Sequence, residues 1–436
     1  MSDLKNKTGL IEPAPGIRKG LAELPGHLNA ETISAGLIAA IFGCTGPPLI
    51  IMNAAMAAGY TSGQTISWLC SVCVFGGLLS LLLALRYQQP ITGAWSIPIA
   101  VMLGSTLTFF NINQAVGAYL LAGILVLLLG LSGLVGKVMR LLPIPIVMGM
   151  IAGAMIKFGT GMILSVQSLP VVCGSALLGY LVCIKFIKKI PPVLGALVIG
   201  IAVAFFTNSI DIANSQYSFV LPSLFAPQFS LDAFLSISIP VAILVIGAEN
   251  AQATGVLLTE GYKAPINFMT IVSGFGGIFT SFFGGHNANI AGPMTAICAS
   301  DAAGKDTAGR YAATVVNGVL FAGFGLIASV AVTFIESVPK PLIGVVAGLA
   351  MIGVLTQAFE QAFSKGKFKT GAFFALVIAM SGISIAKISA PFWALIVGVI
   401  VSLIIEPKDF ENESSPEKNA DAGFKIKTAD AQLESN

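Results

Sequence analysis

The chain has 436 residues, of which 56% are hydrophobic and only 10% are charged, and its formal net charge is +3. An ordinary soluble domain carries about 25% charged residues, so we expect most of this chain to lie in a lipid bilayer. The apolar runs last about twenty residues without alternation, which favours membrane-spanning helices over a β-barrel. The small and scattered positive charge argues against nucleic-acid binding.

The two ends of the chain differ from the apolar middle. Residues 1–29 hold charges and prolines but no apolar run typical of a signal peptide, so they are predicted to form a cytoplasmic N-terminal tail. Residues 406–436 are polar and charged, which predicts a disordered cytoplasmic tail. The six cysteines all fall within apolar segments. Without histidine or carboxylate neighbours, they are interpreted as packed or lipid-facing side chains.

Fourteen apolar segments follow one another along the chain. They lie at about 33–58, 65–85, 91–110, 113–136, 143–166, 169–187, 191–207, 235–259, 266–283, 286–300, 310–335, 341–363, 371–386 and 390–405. Lys and Arg concentrate in cytoplasmic loops. With the N-terminus inside, the loops on the cytoplasmic side carry twelve of these residues and the opposite loops carry two. The sequence therefore predicts a multi-pass protein of the bacterial inner membrane with both termini in the cytoplasm.

An internal repeat is visible in short patterns that recur in the same order. The pairs are Leu142-Pro143-Ile144-Pro145 with Val338-Pro339-Lys340-Pro341, Lys189-Ile190 with Lys387-Ile388, and Gly59-Tyr60 with Gly261-Tyr262. Each copy contains seven segments. Because seven is odd, the second copy must enter the membrane from the opposite side, as in inverted-repeat secondary transporters.

The predicted fold is therefore an all-α polytopic membrane protein with 14 transmembrane segments in two inverted seven-span repeats. The first repeat is assigned to residues 30–207 and the second to residues 235–405. An extracytoplasmic loop at 208–234 joins them.

The third segment is interrupted. Pro90 and Gly93 are incompatible with a continuous helix, and Ser96 is predicted to cap a helix that has Pro98 in its first turn. The helical part, residues 96–110, is about 22 Å long at 1.5 Å per residue. This length is less than the roughly 30 Å of the hydrocarbon core, so extended backbone must supply the rest.

The tenth segment repeats this pattern. Residues 283–289 are glycine-rich and polar, and Asn289 is predicted to cap a short helix that contains Pro293 and ends near Ala299. Two half-helices would then point their N-termini at one central point, where free N–H groups and helix dipoles favour an anion. The alternative is that glycine and proline simply kink two packing helices.

Glu249 is the only carboxylate deep within an apolar segment, and it lies near the middle of the eighth. A charge at that depth is costly and is usually functional, so Glu249 is predicted to take up and release a proton. Asn250 and Gln252 extend the polar patch. Gly46-Pro47-Pro48 occupies the matching position in the first repeat and is predicted to break that helix. The alternative for Glu249 is a structural hydrogen bond.

Several other side chains allow two interpretations each. His286 could carry a proton or bind a carboxylate, but it could equally cap backbone carbonyls. Asn287 and Asn289 could bind substrate or satisfy the interrupted backbone. Trp95 and Phe42 could stack against a flat ring or pack in the protein interior.

Three stretches resemble the BenE family of benzoate:proton symporters over about residues 20–405. They are Pro90 to Pro98, Glu249-Asn250-Ala251 with Glu260 to Pro265, and Phe283 to Cys298. The resemblance implies the 7+7 inverted-repeat fold shared with nucleobase symporters and sulfate/anion transporters, in which a core domain moves against a gate domain. One difference concerns Glu249, because the family commonly has an uncharged residue there, whereas nucleobase symporters have a glutamate in this span.

The resemblance implies a substrate site at the interrupted segments. The predicted substrate-binding residues are Phe42, Gly46, Pro47, Thr92, Trp95, Ser96, Asn250, Gln252, Asn287 and Asn289. The predicted proton-coupling residues are Glu249 and His286. No catalytic residue, cofactor or metal site is predicted.

The resulting functional prediction is secondary active transport, with symport of a proton and benzoate or a similar aromatic carboxylate through an elevator-like motion. An inward-moving monoanion meets an opposing potential of roughly 2.3 kcal/mol per 100 mV, and one accompanying proton cancels this cost. Alternatives are a nucleobase or other heterocycle symporter, an anion channel and, with least support, a membrane enzyme. The expected partners are the substrate, a proton and the lipid bilayer, and the resemblance also implies a homodimer.

Overall fold

Helices form most of the chain in the computed structural model, which describes residues 11–135, 143–187, 191–210, 220–364, 366–385 and 388–413. The first half contains α1 (Ile17–His27), α2 (Ala30–Thr45), α3 (Pro47–Ala57), α4 (Ser62–Tyr87), β1 (Gly93–Ala94), α5 (Ile97–Thr106), α6 (Ile112–Ser132), α7 (Ile144–Ser168), α8 (Pro170–Phe186) and α9 (Pro192–Phe206). The second half contains α10 (Leu231–Thr259), α11 (Ile266–Ser281), β2 (Asn289–Ile290), α12 (Gly292–Ala299), α13 (Tyr311–Leu326), α14 (Ala328–Glu336), α15 (Lys340–Phe363), α16 (Lys369–Ser381), β3 (Ser384–Ile385), β4 (Ile388–Ser389), α17 (Ala390–Ile405) and α18 (Pro407–Glu413).

Each of the fourteen predicted segments coincides with a helix or a helix pair, and the third and tenth segments are interrupted as predicted. In both, a two-residue strand precedes a short helix, α5 or α12. Among the described residues, six helices are long and apolar enough to cross a membrane. A seventh is added if α13 and α14, which meet at a bend of 61°, form one span. The number of complete spans stays a prediction.

The helices pack as two groups. Residues 30–132 and 231–336 form one group, in which α6 packs on α11 and α13 packs on α4 and α2. Residues 144–206 and 340–405 form the other, in which α7 packs on both α15 and α16. We call these groups the core domain and the gate domain. Each draws equally on both halves of the chain, as an inverted-repeat fold requires.

The repeated proline motifs mark the starts of two equivalent gate helices. Pro143 and Pro339 are the residues that precede α7 and α15, and their backbone angles are nearly identical (φ −54°, ψ 128° and φ −55°, ψ 130°). Pro145 and Pro341 lie in the first turn, where a missing N–H costs nothing. The sequence repeat therefore corresponds to one helix-start geometry used twice.

Three core helices of the first half start with capping boxes instead. Asn29, Thr61 and Asn111 each accept a hydrogen bond from a first-turn N–H, and the residue three positions later bonds back. These local interactions fix where α2, α4 and α6 begin.

Parts of the predicted tails and loop are helical. Residues 17–27 form α1, which packs on α4, and residues 407–413 form α18. Helix α10 starts at Leu231, within the predicted loop at 208–234. Residues 1–10, 211–219 and 414–436 and the Lys and Arg residues at 137, 140, 188, 189, 365 and 387 lie outside the described residues.

Candidate substrate and proton site

The two interrupted segments meet as a short antiparallel ladder within the core domain. Gly93 pairs with Ile290 and Ala94 pairs with Asn289. Beyond the ladder, the N–H of Ala291 donates to the carbonyl oxygen of Thr92 at 2.8 Å. The extended backbone that precedes each half-helix thus forms its hydrogen bonds with the extended backbone that precedes the other. Non-helical backbone within a membrane requires such partners inside the protein.

Close packing against α4 explains a glycine in β1. A Cβ at Gly93 would lie 2.5 Å from the carbonyl oxygen of Gly76, so no larger residue fits without backbone movement. Ser80, on the same helix, accepts a hydrogen bond from the N–H of Gly93 at 2.8 Å and donates to its carbonyl oxygen at 2.9 Å. The ladder is therefore held rigidly on the core domain.

Glu249 lies between the N-termini of the two half-helices. Its carboxyl group is within hydrogen-bonding reach of the Ser96 hydroxyl, which caps α5, and of the backbone N–H of Gly292, the first residue of α12. The residue is 6% exposed. It belongs to a π-helical stretch of α10, Val245–Asn250, an irregularity that is frequent at functional sites. The predicted convergence of two helix ends on a buried acid is thus present.

A cavity of about 50 Å³ lies beside this acid. Five predicted residues line it: Phe42, Pro47, Trp95, Glu249 and Gln252. Both domains contribute to its mainly apolar wall. Its other lining residues are Gly43, Ala94, Ile97, Pro98, Met148, Ile151, Ala248, Ala291, Pro293, Met294, Phe321, Val354, Gln357, Ala358 and Gln361. A cavity of about 150 Å³ is known to accept benzene, so this one must widen to accept an aromatic ring.

A larger cavity of about 620 Å³, which we call the vestibule, adjoins the first. The two share Met148, Ala248, Gln252, Gln357 and Gln361. The vestibule extends to Glu260 and Phe368. The backbone N–H of Phe368 donates to Asp409 in α18, so the vestibule opens on the side of the protein where the C-terminal segment lies.

Seven predicted site residues do not line the cavity. Gly46 faces the gate, where a Cβ would lie 2.7 Å from the Cβ of Ala350. The break there is mild, because Gly46 keeps helical angles between α2 and α3 (φ −81°, ψ −55°). Thr92 is buried beside Thr295, whose side-chain oxygen accepts its backbone N–H, and beside Thr314. The Ser96 hydroxyl caps α5 and lies within hydrogen-bonding reach of the Glu249 carboxyl group.

Asn250 points away from the cavity, towards α11. Its side chain lies 3.4 Å from the hydroxyl groups of both Thr270 and Ser273. At about 100° per residue, Ala248, Glu249 and Gln252 fall within one arc of about 100° around the helix, whereas Asn250 lies about 100° beyond Glu249. Asn250 therefore cannot share their face.

His286 is fully buried, and both of its ring nitrogens are engaged. The indole N–H of Trp68 donates to Nδ1 at 2.8 Å, and Nε2 lies 3.2 Å from the carbonyl oxygen of Ser96. Because an indole N–H is only a donor, Nδ1 must be unprotonated and Nε2 must carry the proton. This geometry favours the backbone-capping interpretation of His286, and its role in proton coupling stays a prediction.

Of the two asparagines, Asn287 supports the interrupted backbone with its side chain, whereas both polar side-chain atoms of Asn289 are buried without a hydrogen-bond partner. Asn287 Oδ1 accepts from the N–H of Ser96 at 3.3 Å. Asn289 lies in β2, and α12 starts after Ala291 without a side-chain cap, so the predicted Asn289 cap is wrong. The reason is that the strand pairing extends the backbone two residues beyond the expected helix start.

Sequence reasoning missed the gate side of the cavity. Gln357 and Gln361 on α15 contribute its polar groups opposite the core. Their spacing, four residues apart on one face of the helix, was a detectable signal. The described residues contain no group of three or more His, Cys, Asp or Glu side chains that could hold a metal ion.

The architecture and site define a class of protein. Two domains that each draw on both halves of the chain, and two half-helices that meet at their N-termini, are features of inverted-repeat membrane transporters. The chain belongs to the BenE family, whose profile, described as "Benzoate membrane transport protein", matches residues 26–404. This is a family of membrane transporters rather than enzymes.

Two curated relatives match over most of their length. The "Inner membrane protein YdcO" of Escherichia coli (strain K12) is 29% identical over 374 residues, which cover 86% of this chain and 95% of the relative. The "Benzoate membrane transport protein" of Acinetobacter baylyi is 26% identical over 375 residues, with the same two coverages.

Solved structures of anion-transporter type share the fold. The transmembrane domain of the cyanobacterial bicarbonate transporter BicA matches with a TM-score of 0.59 at 18% identity, covering 85% of this chain and 97% of that one. SLC26A9 matches with a TM-score of 0.59 at 16% identity, covering 88% and 67%. These likenesses support the inverted-repeat fold.

Proposed function

We propose that this protein transports benzoate or a similar aromatic carboxylate into the cell together with a proton. The observation that carries the proposal is the position of Glu249, whose carboxyl group lies at the N-termini of both half-helices beside an apolar cavity. The name of the Acinetobacter baylyi relative supports benzoate as the substrate.

The same geometry gives a physical reason for proton coupling. A substrate carboxylate needs the helix-end donors that Glu249 contacts in this structure. Two carboxylates side by side in a low-dielectric site repel each other strongly. Glu249 must therefore be protonated when the substrate anion binds, and proton release from Glu249 favours substrate release.

The apolar wall fits an aromatic ring. Phe42, Trp95 and Phe321 line the cavity and provide aromatic contacts from the core domain, while Met148 and Ile151 face them from the gate. Because the cavity is smaller than a benzene ring requires, the ring must separate core from gate slightly as it binds.

An elevator-like motion follows from this arrangement. The core domain carries the half-helices, Glu249 and the aromatic residues that line the cavity. Helices α7 and α15 of the gate cover them. The vestibule shares lining residues with the site and extends towards the side of the protein where the C-terminal segment lies. We assign this side to the cytoplasm, with both termini, in agreement with the distribution of Lys and Arg. The structure then corresponds to an inward-facing state.

A nucleobase or related heterocycle is the second candidate substrate. Glu249 could accept hydrogen bonds from ring N–H groups, and the carboxamides of Gln252, Gln357 and Gln361 provide both donors and acceptors. This candidate requires no anion at the helix ends.

Uptake of labelled benzoate into proteoliposomes tests the proposal. An acidic exterior should accelerate uptake by wild type several-fold, and excess unlabelled benzoate should compete whereas uracil and xanthine should not. Glu249→Gln should abolish the stimulation by the pH gradient. Glu360→Gln, an exposed acid on α15 outside the cavity, is the matched control. Competition by uracil or xanthine alone would favour the second candidate, and a conductance without proton coupling would indicate a channel.

A further inference from the structure

A single carboxamide pair joins core and gate at the cavity. Gln252 Nε2, on α10 of the core, donates to Gln357 Oε1, on α15 of the gate, at 2.9 Å. Another core–gate side-chain bond among the described residues, from Ser389 to the carbonyl oxygen of Ser236, lies away from the cavity. Gln252 and Gln357 also line both the cavity and the vestibule. A substrate that passes between these two spaces must meet this pair.

The pair lies against the proposed anion site. A Cβ at Gly292 would lie 2.4 Å from Oε1 of Gln252, so the Gln252 carboxamide occupies the space beside the first residue of α12. The N–H of that same residue lies within reach of Glu249. Gln357 is thus bonded to the carboxamide that lies against the start of α12.

The chemistry of the two possible partners differs. The bond between Gln252 and Gln357 joins two neutral amides, whereas a hydrogen bond in which one partner is charged is roughly twice as strong. A carboxylate only accepts hydrogen bonds, and a glutamine carboxamide has two N–H donors. A substrate carboxylate at the end of α12 would therefore be a better partner for Gln357 than Gln252 is.

We propose that Gln357 is a substrate-binding residue of the gate domain. When the substrate enters, the Gln357 carboxamide leaves Gln252 and donates an Nε2–H to the substrate carboxylate. The anion is then held by α12 on the core and by Gln357 on the gate, so that the bound substrate bridges the two domains. This inference rests on the proposed function, since it requires a carboxylate substrate.

Equilibrium binding of benzoate to the purified full-length protein tests the inference, with benzamide as a neutral ligand of similar shape. Gln357→Leu should weaken benzoate binding by about tenfold, which corresponds to about 1.4 kcal/mol, and should change benzamide binding by less than about twofold. Gln167→Leu is the matched control, because Gln167 is an exposed glutamine near the end of α7, in the same domain, and lines neither the cavity nor the vestibule. It should affect neither ligand by more than about twofold.

The outcomes separate a failure of the Gln357 inference from a failure of the proposed function. If wild type binds benzoate and Gln357→Leu binds it equally well, the role of Gln357 is refuted while the proposed function stands. If Gln357→Leu weakens benzoate and benzamide equally, the residue shapes the cavity and does not contact the carboxylate. If wild type binds neither benzoate nor another aromatic carboxylate, the proposed function and the inference fail together. Thermal unfolding of both variants verifies that they are folded.

Discussion

The two half-helices repeat one pattern in the sequence, but their N-termini differ. Ser96 caps α5 by accepting a hydrogen bond from the N–H of Ile99, whereas α12 follows Ala291 without a side-chain cap. Glu249 accordingly contacts a hydroxyl group at α5 and a backbone N–H, that of Gly292, at α12. The uncapped helix offers an anion its own backbone donors. Under the proposed function, this difference predicts that anion binding depends more on α12 than on α5.

The largest expected effect of breaking this asymmetry comes from Gly292→Ala. The added Cβ would lie 2.4 Å from Oε1 of Gln252, so the carboxamide must move away from the end of α12. The new Cβ and the displaced carboxamide crowd the space beside the backbone N–H of residue 292, so we expect the anion to lose its hydrogen bond to this donor. The half-saturating concentration of benzoate uptake should then rise by about tenfold. Gly255→Ala is the control, because a Cβ there meets nothing within 4 Å. Equal affinities in the two variants would mean that α12 does not bind the anion.

Ser96→Ala should have a smaller effect at the other half-helix. The change removes a cap, which contributes about 1 kcal/mol, and the hydroxyl contact with Glu249, but it leaves the backbone donors in place. We expect the half-saturating concentration to rise by less than in Gly292→Ala. Ser105→Ala, which removes a hydroxyl bonded to the carbonyl oxygen of Met102 at the far end of the same helix, should leave it unchanged. A larger effect from Ser96→Ala would reverse the comparison.

Trp68→Phe tests the hydrogen bonds of His286, which link the two interrupted segments. Removing the indole N–H leaves Nδ1 of His286 without a partner, which should cost about 1–3 kcal/mol of stability. The midpoint of thermal unfolding should fall, while the stimulation of uptake by a pH gradient should persist. Trp393→Phe, which removes a bond to the backbone of Ile388 in the gate, is the control. Loss of proton stimulation in Trp68→Phe would indicate that His286 takes part in proton coupling.

The smallest effect is expected at a third helix N-terminus, outside the cavity. The Glu406 carboxylate, just beyond α17, accepts hydrogen bonds from the backbone N–H groups of Thr370 and Gly371 at the start of α16 and from the Ser402 hydroxyl. Burial opposes its ionisation, but these hydrogen bonds outweigh burial and lower the pKa of Glu406. This carboxylate is therefore a charged helix cap at neutral pH.

Glu406→Gln should therefore destabilise the protein in a pH-dependent way. Because its pKa is lower in the folded state, the carboxylate stabilises the fold above the unfolded pKa of about 4.3. That contribution is lost as the pH falls through the lowered folded pKa. Thermal unfolding at neutral pH should show a loss of about 0.5–1 kcal/mol, and the difference from wild type should disappear in acid. A pH-independent difference would contradict the assignment of Glu406 as a charged cap.

The fold was largely predictable because its signals are local. The interruption of the third segment depends on Pro90 and Gly93, and the start of α5 depends on Ser96-Ile97-Pro98. Each signal affects only the backbone within about one turn, and the Ser96 cap is confirmed. The Asn289 cap was wrong because pairing with β1, a contact between distant residues, keeps Asn289 extended. The position of Asn250 could have been predicted from helical spacing, since only the face of Glu249 and Gln252 meets the cavity.

The sequence by itself determined the membrane class, the two repeats, the interrupted segments and the one deep acid, because hydrophobicity, proline and glycine act on their own neighbourhood. Only the tertiary structure decided which polar groups meet. Glu249 lies at the ends of α5 and α12, and Gln357 of the gate accepts a hydrogen bond from Gln252 of the core, through the packing of helices that are far apart in the chain. Such contacts depend on the relative placement of whole helices, which no local pattern encodes.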